Sequence, residues 1–181
     1  MPRELALAGR GLGLAVLAVL VWKVLTRPMG VGDAGSLLGF FHGVDLIFHE
    51  AGHVIFGLFG QFPGVLGGSL MQVLVPTVCA GSFLWRGQYA SASAPLFWTG
   101  ESLTDLAIYV ADGRAMRLPL LADGLIHDWN WLLGRLGLLP QAEALARFTF
   151  ALGALVILAA LSLLGLDLLR VWNASGAEER L

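Results

Sequence analysis

Long apolar runs separated by short polar breaks make up most of the chain. About 20 apolar residues cross a bilayer as an α-helix, and five runs reach that length: residues 5–25, 36–60, 65–85, 92–111 and 144–169. The pattern predicts an all-α, polytopic membrane protein with about four to five transmembrane helices. We expect a single integral-membrane domain over residues 1–181, with a disordered tail after Arg170.

The breaks between the runs predict how the helices connect. Residues 30–33 (GVGD) precede the second span and residues 61–64 (QFPG) follow it, and both sequences are typical of turns. Because the link to the third span is so short, we expect the second and third spans to form an antiparallel hairpin. Residues 112–141 are more polar and contain Trp129 and Trp131, which predicts an interfacial helix or a re-entrant segment.

Composition agrees with a membrane protein and narrows its chemistry. Hydrophobic residues make up 57% of the chain and charged residues only 13%, so several apolar faces must contact membrane lipids. A formal net charge of −2 gives no basic surface, which excludes nucleic acid as a partner. Because Cys79 is the single cysteine, any metal must be held by histidines and carboxylates.

The second span contains His49, Glu50 and His53 in the pattern H-E-x-x-H. Positions four apart lie on one face of a helix, so both imidazoles can bind one zinc ion. Glu50 would then act as a general base on the zinc-bound water, whose pKa the ion lowers. The motif predicts Zn²⁺ as the cofactor and a hydrolase as the function.

A polar stripe extends the motif along the same helix. At about 100° per residue, His42 and Asp45 fall within roughly 80° of His49 and His53, while the opposite face is apolar. The two histidines of the motif lie close to the middle of the span, which predicts a metal deep in the bilayer. Ionisable groups in membrane helices are usually functional, and we expect His42 and Asp45 to orient the ligands.

A second polar stripe lies in the fourth span. Glu101, Asp105, Tyr109 and Asp112 are spaced 4, 4 and 3 residues apart, which again puts them within roughly 80° of one another. If this stripe faces the histidine stripe, the two enclose a hydrated polar core. We expect Glu101, Tyr109 and Asp112 to orient the metal-binding side chains without binding the metal themselves.

A catalytic zinc ion needs a third protein ligand and an open fourth position. His127 is the favoured candidate, because it is the only histidine outside the second span. Asp105 is the alternative, on the geometry of its helix. Asp128 or Asp112 would orient a ligand through a hydrogen bond.

Residues 49–53 (HEAGH), followed by residues 54–60 (VIFGLFG), resemble the metal helix of the site-2 protease family of intramembrane zinc metalloproteases. The resemblance implies hydrolysis of a peptide bond in or near the bilayer. It also implies an aspartate ligand from a later membrane helix, usually in an Asp-Gly pair. This chain has Asp105 followed by leucine in its later span, and its Asp123-Gly124 pair lies outside the predicted spans.

Over residues 36–140 the chain resembles a group of small bacterial membrane proteins of unassigned function. The similarity lies in residues 98–105 (WTGESLTD), in Tyr109, in residues 112–114 and in residues 127–129 (HDW). It supports a place for His127 in the site, and it implies a multi-pass protein of the bacterial inner (cytoplasmic) membrane.

Two functions remain open on the sequence. The first is a membrane-embedded zinc metallopeptidase acting on a membrane protein or peptide substrate, with Glu50 as the catalytic base. The second is a non-catalytic metal-binding or metal-transport protein whose polar stripes line an ion path. A structural protein that binds no metal is a third interpretation, in which the polar stripes only join helices.

Overall fold

The computed structural model describes residues 3–26, 36–122 and 124–178, and this part of the chain contains helices, turns and loops but no strand. The predicted all-α class is therefore confirmed. The α-helices are α1 (Arg3–Thr26), α2 (Leu37–Gly57), α3 (Gln61–Trp85), α4 (Tyr89–Asp112), α5 (Asp128–Leu136) and α6 (Ala142–Glu178), with a 3₁₀ turn over Leu139–Gln141.

Among the described residues, three helices are long and apolar enough to cross a membrane: α1, α3 and the segment Leu139–Ala174 that contains most of α6. This number is lower than the four to five spans that we predicted. The other two predicted spans are the helices α2 and α4, with 21 and 24 residues. They are long enough to cross a bilayer, but the ionisable side chains of their polar stripes lower their hydropathy.

The helix ends differ from the predicted boundaries in two places. Residues 61–64 were expected as a turn, but they form the first turn of α3, where a proline is tolerated because its missing N–H has no helical partner. The connection from α2 is made by residues 58–60, and Gly60 adopts a left-handed φ of 109°. The α6 helix runs to Glu178, so residues 171–178 are helical where we predicted a disordered tail. The predicted turn at residues 30–33 lies outside the described residues.

Close glycine contacts hold the helices of the bundle together. The most extensive helix pair is α4 with α6, followed by the predicted hairpin of α2 with α3. A Cβ atom on Gly100 would lie 2.7 Å from the Gly153 carbonyl oxygen and equally close to Ile157. A Cβ atom on Gly52 would collide with the Gly67 carbonyl group. Both pairs of helices therefore meet backbone to backbone.

The predicted interfacial segment is a loop followed by the short helix α5. The side chain of His127 caps α5 by accepting the backbone N–H of Asn130 at 3.3 Å. Gly137, with a left-handed φ of 69°, ends the helix. Trp131 packs near Phe62 at the start of α3. The loop and α5 thus cover the end of the bundle at which α2 turns into α3.

We predict that Gly100→Ala lowers the free energy of unfolding by about 1–3 kcal/mol, because the added methyl group must push α6 away from α4. Unfolding by sodium dodecyl sulfate, followed by circular dichroism in detergent micelles, measures this change. Gly165→Ala on α6 is the matched control, since its Cβ would meet nothing within 4 Å. Equal stability of the two variants would contradict the close contact.

Candidate metal centre

The rings of His49 and His53 lie on one face of α2 and are held from behind by α3. The Nδ1 atom of His49 donates to Gln72 Oε1 at 2.7 Å, and the Nδ1 atom of His53 donates to the Gly64 carbonyl oxygen at 2.8 Å. The Gln72 amide nitrogen in turn donates to the Ser102 carbonyl oxygen, which fixes the orientation of the amide. Both Nδ1 atoms therefore carry a proton, and the Nε2 atom of each ring is left to face the inside of the site.

Both Nε2 atoms face the same carboxylate oxygen. Asp128 Oδ2 lies 2.9 Å from the Nε2 atom of His49 and 3.2 Å from that of His53. Two lone pairs and a carboxylate oxygen at these distances repel one another unless a cation, either a proton or a metal ion, lies among them. The arrangement therefore fits either a protonated imidazole that donates to Asp128 or a metal ion held by the three atoms.

The donors and their spacing fit a metal ion such as zinc. Ligands at 2.0–2.1 Å from a tetrahedral zinc stand about 3.3 Å from one another. The distance from Asp128 to His53 is close to this value at 3.2 Å, and the distance from Asp128 to His49 is shorter at 2.9 Å. The ligand atoms of His49, Glu50 and His53 also lie within 4.8 Å of one another, so this group could hold a metal ion. Imidazole and carboxylate suit iron, cobalt and nickel as well, and the donors alone do not specify the element.

Asp128 is held as an anion by its surroundings. It is the first residue of α5, where the helix dipole favours negative charge, and its backbone N–H donates to the Tyr109 hydroxyl at 3.1 Å. Burial alone would raise the pKa of Asp128, but the hydrogen bonds with His49 and His53 outweigh burial and hold this pKa below its ordinary value. The Asp128 side chain is therefore an anion at neutral pH.

Glu50 and both histidines line a cavity of about 750 Å³. The Glu50 side chain is exposed to this cavity, whereas His49 is buried behind it. The loop before α5 contributes apolar side chains to the lining, among them Leu118, Leu125 and Ile126, and α2, α3 and α4 contribute the rest. The cavity can therefore present a bound molecule and a water molecule to the cation site and to a carboxylate.

The two predicted third ligands lie elsewhere. Both ring nitrogens of His127 are engaged, Nε2 with Asp112 Oδ2 at 3.1 Å and Nδ1 with the backbone N–H of Asn130. Asp105 accepts a hydrogen bond from His42 Nδ1 at 3.0 Å, about two turns of α2 away from His49. The structure therefore does not bring either residue to the histidine pair, and it brings Asp128 there instead.

The two predicted polar stripes do face each other. Besides the pair of His42 and Asp105, the Asp45 carboxylate accepts hydrogen bonds from Trp98 and Ser102, both at 2.8 Å, and adjoins the buried Glu101 carboxyl group. The Tyr109 ring contacts the His49 ring, with 5.9 Å between their centres.

Asp112, the last residue of α4, holds the start of the loop. Its carboxylate accepts the backbone N–H groups of Arg117 and Leu118, both at 2.9 Å, and the Nε2–H of His127. Because His127 precedes Asp128, these hydrogen bonds fix the position from which Asp128 reaches the two histidines.

His49 lies close to the middle of α2, whereas His53 lies nearer to its end. His53 is four residues before Gly57, the last residue of α2, which is about 6 Å along the helix axis. Its hydrogen-bond partner Gly64 belongs to the first turn of α3. The histidine pair therefore extends from the middle of α2 towards the end at which α3 begins, under the loop and α5.

Three contributors to the site were missed in the sequence: Gln72, the carbonyl group of Gly64, and Gly68. Gly68 matters because a Cβ atom there would lie 2.5 Å from His49 Nε2 and 2.7 Å from His53 Cε1. The signal that could have found Gln72 is its position as the one amide in the interior of an apolar helix, since Gln61 is at the first position of α3. A backbone carbonyl group and a missing side chain leave no comparable signal.

No protein-family model matches the chain, and no curated protein and no solved structure shows significant similarity to it. The chemistry of this centre is accordingly inferred from its donor atoms, their distances and their burial.

We predict that Gly68→Ala lowers the affinity for zinc by about 10- to 100-fold, because the methyl group displaces both imidazoles. Titration of the detergent-purified protein with zinc against a competing chelator measures the affinity. Gly81→Ala on the same helix is the control, since its Cβ would meet nothing within 4 Å. An unchanged affinity in Gly68→Ala would mean that zinc does not bind between these rings.

Proposed function

We propose that this protein is a membrane-embedded zinc metallopeptidase that hydrolyses a peptide bond in or near the bilayer. The observation that carries the proposal is the convergence of His49 Nε2, His53 Nε2 and Asp128 Oδ2 beside Glu50 at the edge of a cavity. The resemblance of residues 49–60 to the metal helix of site-2 proteases supports it. Asp128 agrees with the resemblance in residue type, but it begins the nine-residue helix α5 and is followed by tryptophan and not by glycine.

His49, His53 and Asp128 would hold the zinc ion, with Gln72 and the Gly64 carbonyl group fixing the imidazoles. Bound zinc supplies Lewis acidity, which polarises the scissile carbonyl group and makes a water molecule easier to deprotonate. Three protein ligands leave a fourth position open, as catalytic zinc sites require.

Glu50 is the catalytic base in this proposal. The water oxygen bonds to the carbonyl carbon while its proton moves to the Glu50 carboxylate, and the carbonyl π electrons move onto the carbonyl oxygen. When that oxygen restores its double bond, the C–N bond breaks and the leaving nitrogen takes the proton from Glu50. The exposure of Glu50 to the cavity is what this role needs.

The substrate in this proposal is a peptide segment of a membrane protein. The apolar loop wall of the cavity suits apolar side chains. A peptide bond within a helix is shielded by its hydrogen bonds, so the segment must unwind before Glu50 can act on it. We therefore expect helix-weakening residues near the cleaved bond.

A second candidate function is metal binding or transport without catalysis. The observation that favours it is the buried polar contact between α2 and α4, where Asp45 and Glu101 extend the polar surface away from the histidines. In that case Glu50 would not be needed as a base. The two functions therefore differ in the effect of substituting Glu50.

We predict that the purified wild-type protein carries about one zinc ion per chain and that His49→Ala and Asp128→Ala both lose it. Asp105→Ala should keep the zinc, because its side chain does not reach the histidine pair. His127→Asn should keep more zinc than Asp128→Ala, because His127 helps to place Asp128 but does not itself reach the pair. Asparagine is chosen at residue 127 because it can still cap α5. Mass spectrometry of the metal content measures the result. Loss of zinc in His127→Asn, with retention in Asp128→Ala, would identify His127 as the third ligand.

We predict that Glu50→Gln lowers the rate of hydrolysis of fluorescein-labelled casein by at least about 100-fold and keeps its zinc, because glutamine cannot accept the water proton. Glu143→Gln is the matched control, since the Glu143 side chain is exposed on α6. Release of labelled peptides in detergent measures the rate. Retained zinc flux in Glu50→Gln proteoliposomes, with no hydrolysis by the wild type, would favour the transporter.

A further inference from the structure

The Tyr109 hydroxyl lies beside the proposed metal ligands, and its proton is donated to no described residue. It accepts the backbone N–H of Asp128 at 3.1 Å, and no described residue accepts a hydrogen bond from it in return. The side chain also lines the cavity that contains Glu50 and the histidine pair. A hydroxyl group with an occupied lone pair and a free proton, at the wall of a cavity, is a hydrogen-bond donor for a bound molecule.

The Tyr109 ring is held in place on both sides. The His127 ring lies 4.4 Å from it, centre to centre, at an angle of 30°, and the His49 ring lies 5.9 Å away on the side of the metal ligands. The hydrogen bond from Asp128 then fixes the hydroxyl end. A donor that needs no reorganisation during a reaction is the kind that stabilises developing charge most strongly.

We infer that Tyr109 is a further catalytic residue, whose hydroxyl donates a hydrogen bond to the oxygen that becomes negatively charged when water adds to the scissile carbonyl group. The inference rests on the proposed peptidase function. In this step the proton stays on the Tyr109 oxygen and is only shared in the hydrogen bond. The bond changes and the transfer of the water proton through Glu50 remain as described above.

The role differs from that of a residue that merely positions Asp128. Such a residue would affect zinc affinity through the backbone of Asp128 and would leave the reactivity of the zinc-loaded protein unchanged. A donor to the oxyanion acts only in the transition state, so its loss should lower kcat and leave KM and zinc content nearly unchanged. The two roles can therefore be separated by measuring zinc content, KM and kcat on the same samples.

The test compares Tyr109→Phe, which removes only the hydroxyl, with Tyr89→Phe, the other tyrosine of the chain. Tyr89 lies at the opposite end of α4, under the Arg170 guanidinium group. Each variant is assayed for zinc content and for the cleavage of fluorescein-labelled casein. We expect a loss of about 100- to 1,000-fold in kcat/KM for Tyr109→Phe and less than about twofold for Tyr89→Phe.

A binding measurement gives a readout that does not depend on turnover. A phosphinic peptide with leucine side chains carries charged oxygens on a tetrahedral centre, whereas the peptide with a reduced CH₂–NH bond lacks an oxygen there. Isothermal titration calorimetry of the zinc-loaded variants measures the affinity for each peptide. Tyr109→Phe should lower the affinity for the phosphinic peptide by at least about 10-fold and leave the affinity for the reduced peptide unchanged.

The outcomes separate the two hypotheses. If the wild-type protein cleaves casein and Tyr109→Phe cleaves it equally fast, the role of Tyr109 is overturned. The proposed function then still stands. Loss of zinc from Tyr109→Phe, with normal activity once zinc is resupplied, also overturns it and makes Tyr109 a positioning residue for Asp128. A wild-type protein that holds zinc but cleaves no peptide overturns the proposed function and this inference with it.

Discussion

The hydrogen bonds from the two imidazole Nδ1 atoms to α3 are the constraint on which the rest of the site depends. They leave both Nε2 atoms facing one carboxylate oxygen, so that a proton or a metal ion can be held among the three atoms. α3 can approach this closely because Gly52 and Gly67 let the two backbones touch, and because Gly68 leaves room for the rings. The three glycines are therefore as important for the positions of the two imidazoles as the hydrogen bonds to α3 are.

The buried polar contact between α2 and α4 follows from the same architecture. A charged or polar group without a partner is costly in an apolar environment, and the facing stripes provide partners for each other. Asp45 receives hydrogen bonds from Trp98 and Ser102, and Asp105 receives one from His42. These partners allow helices of low hydropathy to pack beside α1, α3 and α6, which are apolar enough to cross a membrane.

The loop between α4 and α5 links the fold to the chemistry. It is tied at its start by the hydrogen bonds to Asp112 and at its end by the cap that His127 provides for α5. Between these two ends the loop provides apolar side chains that line the cavity. Asp128 follows directly after His127, at the start of α5. The wall that would contact a substrate and the ligand that would hold the metal therefore belong to one connected piece of backbone.

The sequence by itself determined the helical class, the apolar runs, and the pairing of His49 with His53 near Glu50, because these features repeat at the helical period and depend only on neighbours along the chain. It did not determine the helix ends near residues 61–64, because proline is compatible with both a turn and a first helical turn. Only the tertiary structure decided that Asp128, and not His127 beside it, faces the histidines. Adjacent residues at the start of a helix point in different directions, and which one meets α2 depends on how the preceding loop is anchored, a long-range property that no local pattern encodes.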